Sequence, residues 1–231
     1  MRKITLITSL IIGLSTGLQA HEFDYQSVLN DKARPTADKE RDINRKPDEI
    51  LKLLNIKPGM TVVDYVAGRG YYSEIFARVL NNKGLLYSLK GRLQDRDLSK
   101  FSNIEVPQDL LLEDVTLPFD RIFTALNYHD LINRSSLDRT QLLKNIHTKL
   151  KDGGYFVVID HNAKPGVGTD DTKSKHRVEN TFVLNEVQKA GFVLDRSLSV
   201  LANPSDTFEL KVHEGSIKGK TDRFVYRFKK R

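Results

Sequence analysis

The chain of 231 residues contains no cysteine. That excludes disulfides, thiolate metal sites, a thiol nucleophile and a lipid-modified cysteine. It also lacks internal repeats and low-complexity linkers, so one domain is expected rather than an array. Nor does it carry a basic stripe. The formal net charge is +7, yet Lys and Arg lie scattered among acidic residues, apart from a short tail, Lys229-Lys230-Arg231. Nucleic-acid surfaces concentrate their charge, so this excess reads as solubility and no nucleic-acid partner is expected. What is present is an ordinary globular balance, 39% hydrophobic and 29% charged. A domain of about 200 residues with that balance can bury a core without metal or disulfide help.

Met1-Arg2-Lys3 precedes an apolar run, ITLITSLIIGLSTGLQA, and Ala20 offers a small residue ahead of His21. This is the layout of a secretory signal peptide over residues 1–20. An uncleaved N-terminal anchor is the competing reading, because the run approaches spanning length. Both send the rest of the chain across a membrane, predicting a periplasmic or secreted protein, free of the membrane once cleaved. Residues 21–46 are polar, with Pro35 breaking any long helix, and read as an N-terminal extension. From 47 to 231 the pattern is that of the main domain. It opens on Pro47, Asp48 and Glu49, a good helix entrance, followed by Ile50, Leu51, Leu53 and Leu54.

The rest is organised around Lys57 to Leu80, KPGMTVVDYVAGRGYYSEIFARVL. A Pro58-Gly59 turn releases an apolar strand, Met60 to Val63, which ends at Asp64. A glycine-containing turn follows, then a helix with Tyr72, Ile75, Phe76, Val79 and Leu80 on one face. Glycines let a backbone approach a ligand, and a helix N-terminus offers free N–H groups. Further strands are expected at 85–89, 104–106, 119–126, 155–159, 192–201 and 223–228. Ser135 with Asp138 reads as a capping box before a helix that stops at Asp152-Gly153-Gly154. Strands alternate with helices until the last two. The pattern predicts an α/β fold: a Rossmann-like, seven-stranded, mostly parallel sheet with an antiparallel C-terminal strand and helices on both faces.

In such sheets ligands sit at the carboxyl ends of the strands, which brings Asp64, Asn127 to Asp130, and Asp160-His161 to one edge. A dinucleotide dehydrogenase is disfavoured. After Gly68 and Gly70 its fingerprint requires a third glycine, where this chain has Tyr71, Tyr72 and Ser73.

Asp64-Tyr65-Val66-Ala67-Gly68-Arg69-Gly70 and Leu150-Lys151-Asp152-Gly153-Gly154 resemble two loops of class I S-adenosylmethionine-dependent methyltransferases. The resemblance covers about residues 45 to 228. Several pieces look more narrowly like a family of exported, predicted methyltransferases. These are Arg41-Asp42 with Arg45 and Pro47, the GYYSEI turn-helix, Asn127 to Leu131, His176-Arg177, and Gly219 to Phe224. The resemblance implies S-adenosylmethionine as cofactor, a small-molecule acceptor, and contacts to the cofactor from Asp64, Ala67, Gly68, Gly70, Tyr71 and Asn127. His129 titrates nearest neutral pH and is the candidate base, with Asp130 or Asp160 orienting it; a turn histidine with structural hydrogen bonds is the competing reading. Tyr128, His161, His176 and Arg177 are the candidate substrate contacts. His129, Asp130, Asp160, His161 and His176 are suitable metal donors, but no spacing among them is diagnostic and no metal site is assigned. Arg41, Asp42 and Arg45 are implied to close over the pocket.

Two residues depart from the pattern. Val66 stands where the loop has its first glycine, and Lys90 where an acid accepts the ribose hydroxyls. Lysine has no acceptor, so a ribose clamp requires Asp95 or Asp97. The alternative to an enzyme is an exported scaffold that keeps the fold without the chemistry.

Overall fold

In the computed structural model, which describes residues 23–93, 96–107 and 112–231, the strand-helix alternation closes into one seven-stranded sheet. The expected signal peptide lies outside the described residues. Its first helices are α1 (Tyr25–Leu29), α2 (Thr36–Arg45) and α3 (Pro47–Leu54). Then come β1 (Thr61–Gly68), α4 (Tyr71–Leu80), β2 (Leu85–Gly91), β3 (Ile104–Glu105) and β4 (Phe119–Ala125). They are followed by α5 (Tyr128–Ile132), α6 (Arg139–Lys149), β5 (Leu150–His161), α7 (Asp171–Ser174) and α8 (Asn180–Lys189). β6 (Phe192–Leu198) and β7 (Arg223–Lys230) complete the chain. No helix among the described residues is long and apolar enough to cross a membrane.

The sheet order is β3-β2-β1-β4-β5-β7-β6. The first five strands run parallel, and β7 inserts antiparallel to both β5 and β6. Parallel neighbours need a crossover, which α4, α6 and the loops supply; β6 and β7 have no intervening α-helix, so the chain returns antiparallel. Strand residues alternate between two apolar layers, as period 2 requires. Val63, Ile122, Phe156 and Val158 join the layer under α6 and α8, whereas Val62, Phe123, Val157 and Ile159 join that under α3 and α4. From β1 the chain builds outward to β2 and β3, then crosses back to β4 on the other side. That reversal leaves a crevice at the carboxyl ends of β1 and β4.

Three local expectations shift. β1 runs on to Gly68 instead of stopping at Val63, because its irregular end still pairs with Gly91 of β2. Asp138, not Ser135, caps α6: its carboxylate accepts from the Gln141 N–H at 3.0 Å. The Lys151-to-Gly154 turn is absorbed into β5 as a break in register against β4, between Phe119–Leu150 and Arg121–Tyr155.

The N-terminal helices are tied to α4 by charge. Arg96 bridges Asp38 of α2 and Glu74 of α4 at 2.8 and 2.7 Å. Arg78 of α4 pairs with both Glu74 and Asp31. Arg34 forks onto Asp42 at 2.7 and 2.8 Å. These contacts carry α2 to the rim of the crevice.

Candidate active site

At the crevice β1 ends in a bend. Asp64 is buried, and its carboxylate accepts from Ser73 Oγ of α4 at 2.6 Å, with Ser88 Oγ of β2 2.9 Å beyond. Burial pushes the Asp64 carboxyl up to about 6, against the hydrogen bonds from Ser73 and the charge of Arg45. Val66 and Gly68 both take left-handed backbone angles, φ 58° and 57°. Thus the residue in place of the first glycine still adopts the glycine conformation, and Asn127 Nδ2 holds its carbonyl at 2.8 Å. A Cβ added at Gly68 would meet nothing within 4 Å, so the backbone there faces open space.

That space is a cleft of about 390 Å³, within the range of about 300–1,000 Å³ that small-molecule sites occupy. Asp64, Ala67, Gly68, Tyr71 and Asn127, the residues that the resemblance implies for the cofactor, line it. His129, Asp130, His161 and His176 line the other side. Arg41 and Arg45 reach in from α2, their guanidinium carbons 5.0 and 4.7 Å from the centre of the Tyr71 ring. Tyr71 donates its hydroxyl to Asp42 at 2.6 Å; burial, Tyr72 and this bond push its ionisation well above the ordinary phenol value.

His129 is held from behind. Asp160 at the end of β5 is fully buried, and its oxygens accept from the His129 and His161 backbone N–H groups, both at 2.7 Å. The same carboxylate meets His129 Nδ1 at 2.9 Å. A carboxylate only accepts, so Nδ1 carries the hydrogen, and in the neutral ring Nε2 turns its lone pair toward the cleft. Burial opposes charge on the His129 ring, but the charge and hydrogen bond of Asp160, with Asp130 behind them, outweigh it and raise its pKa above the ordinary imidazole value. His161 is the reverse case. Burial first, then the positive surroundings of His129, Arg223 and Arg177, hold it well below that value, and its Nδ1 sits 2.6 Å from Thr221 Oγ1.

Three sequence-predicted residues lie outside the cleft lining. Gly70 starts α4 at φ 71°, where an added Cβ would fall 2.3 Å from Leu93 Cδ2; it serves packing. Tyr128 is buried on the far side of α5 and donates to Glu186 of α8 at 2.6 Å. Successive helical side chains diverge by about 100°, so Tyr128 and His129 cannot share a face. Arg177 is fully buried and forks onto Asp206 at 2.9 and 3.1 Å, which satisfies it structurally and removes it from substrate contact. Lys90 lines a different cleft, with Tyr65 and Leu137. Asp97 is bound to Ser99, and Asp95 lies outside the described residues.

Sequence reasoning missed three charged or titratable lining residues, Arg69, Arg92 and His213. His213 belongs to the excursion between β6 and β7, and its ring comes 5.5 Å from that of His176. Nothing in its spacing marks it.

No protein-family model matches the sequence, and no curated protein matches it in sequence. Solved structures do match it in shape. A SAM-dependent methyltransferase from Aquifex aeolicus superposes with a TM-score of 0.59 at 20% identity, over 89% of this chain and 98% of that one. The methyltransferase of Haloferax volcanii solved with the Trm112 methyltransferase activator gives 0.53 at 16%, over 90% and 97%. An S-adenosylmethionine-dependent methyltransferase from Mesorhizobium loti gives 0.50 at 17%, over 79% and 96%. The fold is the Rossmann-like methyltransferase fold.

Set against the S-adenosylmethionine that the resemblance implies, the cleft has two matching features and one departure. Gly68 leaves the bend open, and Asp64 places a carboxyl beneath it. Among the described residues, however, no carboxylate from the end of β2 lines the cleft; Arg92 stands there instead.

Proposed function

We propose that the protein transfers a methyl group from S-adenosylmethionine to a small, negatively charged acceptor. The observation that carries this reading is the bend at Val66–Gly68, which opens a cleft at the switch point of a methyltransferase fold with Asp64 beneath it. When bound, the cofactor supplies a methyl group activated on a sulfonium. Asp64, Ala67, Gly68, Tyr71 and Asn127 would hold it. The task left to the chain is to place an acceptor in line with that methyl group, which is chiefly a matter of positioning.

The acceptor side is the histidine wall. Arg41, Arg45, Arg69 and Arg92 outnumber the two lining carboxylates, Asp64 and Asp130, so the cleft favours an anion. His129 Nε2 is its basic atom, oriented by Asp160. The leader-like residues 1–20 support action outside the cytosol, in the periplasm or as a secreted protein.

One observation favours the second reading, a scaffold without catalysis: Arg92 rather than an acid at the ribose end. Calorimetric titration with S-adenosylmethionine and S-adenosylhomocysteine separates the two. Micromolar binding of both, lost in a folded Gly68→Val variant, supports the enzyme. No heat at millimolar ligand supports the scaffold.

A further inference from the structure

His129, Asp130 and His176 each present one donor atom, and the three atoms lie within 4.8 Å of one another. Asp130 Oδ1 is the hub, 3.5 Å from His129 Nε2 and 3.7 Å from His176 Nδ1. With Nδ1 of His129 donating to Asp160, the neutral ring presents the Nε2 lone pair to the carboxylate of Asp130. Converging lone pairs are held together by a cation, either a proton on an imidazole or a metal ion, and three donors around one point fit the metal. In a tetrahedral zinc site with ligands about 2.0–2.1 Å from the ion, donor atoms stand about 3.3 Å apart. The two separations to Asp130 are already close to that.

Two further features belong to such a site. Asp160 behind His129 forms the carboxylate–histidine arrangement that orients imidazole ligands and raises their basicity. The backbone of His176 takes φ 58°, a conformation costly for a side chain of this kind, and it is pinned on both sides. Lys175 accepts from the Val212 N–H, and Arg177 is locked to Asp206. The buried Arg177–Asp206 pair therefore positions His176, and the same contacts bring the excursion carrying His213 to the cleft.

We propose that His129 Nε2, Asp130 and His176 Nδ1 bind one divalent transition-metal ion of the zinc class. Two imidazoles and one carboxylate suit such an ion, and three protein ligands leave a position open toward the cleft. That open position takes an anionic oxygen, nitrogen or sulfur of the acceptor; with the Nε2 lone pair engaged, the ion rather than His129 favours the deprotonated acceptor. Only this last use rests on the methyl-transfer reading; the ion site does not.

The test is titration of the purified protein with Zn²⁺ by calorimetry and with Co²⁺ by visible absorption, in the absence of S-adenosylmethionine. One ion per chain is expected, with cobalt bands of low-symmetry, nitrogen- and oxygen-ligated type. Asp130→Ala and His176→Ala, both at partly exposed side chains, should each weaken binding at least tenfold while circular dichroism stays unchanged. Asp160→Asn, which keeps one acceptor oxygen for the backbone N–H groups but removes the carboxylate behind His129, should weaken it about 10- to 100-fold. Absence of stoichiometric binding, or binding indifferent to His176→Ala, overturns the site. Parallel titration with S-adenosylmethionine keeps the two failures apart: metal without cofactor refutes methyl transfer, and cofactor without metal refutes the ion.

Discussion

Asp64→Asn is the sharpest probe of the bend. Its carboxyl is raised from 3.8 to about 6, chiefly by burial. Such a rise corresponds to about 3 kcal/mol between the protonated and ionised forms. Relative to the ionised form, protonation stabilises the fold; that contribution is complete below pH 3.8 and is lost as the pH rises through about 6. At pH 8 the native protein therefore holds an ionised carboxylate in a desolvated seat. An Asn at this position keeps an acceptor for Ser73 Oγ but carries no charge. The variant should be the more stable protein at pH 8, by up to about 3 kcal/mol, or about 6–12 °C in melting temperature for a chain of this size. Near pH 4 the difference should vanish. Urea titrations of both proteins across pH 4 to 8 measure it, and comparing them cancels every other titrating group. A difference that stays constant with pH, or a variant less stable at pH 8, refutes the reasoning. The cofactor reading adds a second outcome: the stabilised variant should bind S-adenosylmethionine more weakly, because it has lost the carboxylate beneath the bend.

Arg177→Ala leaves Asp206 as a buried, unpaired carboxylate and should cost about 3–5 kcal/mol, read as a large fall in the urea midpoint. Tyr128→Phe removes only the bond to the Glu186 carboxylate and should cost about 1.5–3 kcal/mol with ligand affinity unchanged. A change in affinity would mean that the ring reaches the cleft after all. Arg96→Ala strips a cation from Asp38 and Glu74 and should loosen α2 from α4, seen as faster amide exchange across residues 36–45.

Much of the fold was readable because it rests on local signals. The apolar run after Pro58-Gly59, the three-and-four spacing from Tyr72 to Leu80, and Gly191 after α8 each announce their element without reference to distant residues. The loss of a helix between β6 and β7 announces the antiparallel strand. Local signals misled where two competed. Ser135 and Asp138 could each cap a helix, and only the actual chain direction chose Asp138.

The site divides in the same way. That Asp64, Asn127, His129, Asp160 and His161 share one edge follows from strand ends alone, since parallel strands place their carboxyl ends together. Which of those side chains face the cleft does not. Tyr128 and His129 are neighbours in sequence and lie on different faces of α5; Arg177 is claimed by Asp206, 29 residues on. His213 arrives from a loop with no periodicity. The ordered pattern of apolar and polar residues determines where strands end, because burial acts on each segment separately. Only tertiary packing decides which polar atoms meet, because the partner that satisfies a buried charge can come from any part of the chain.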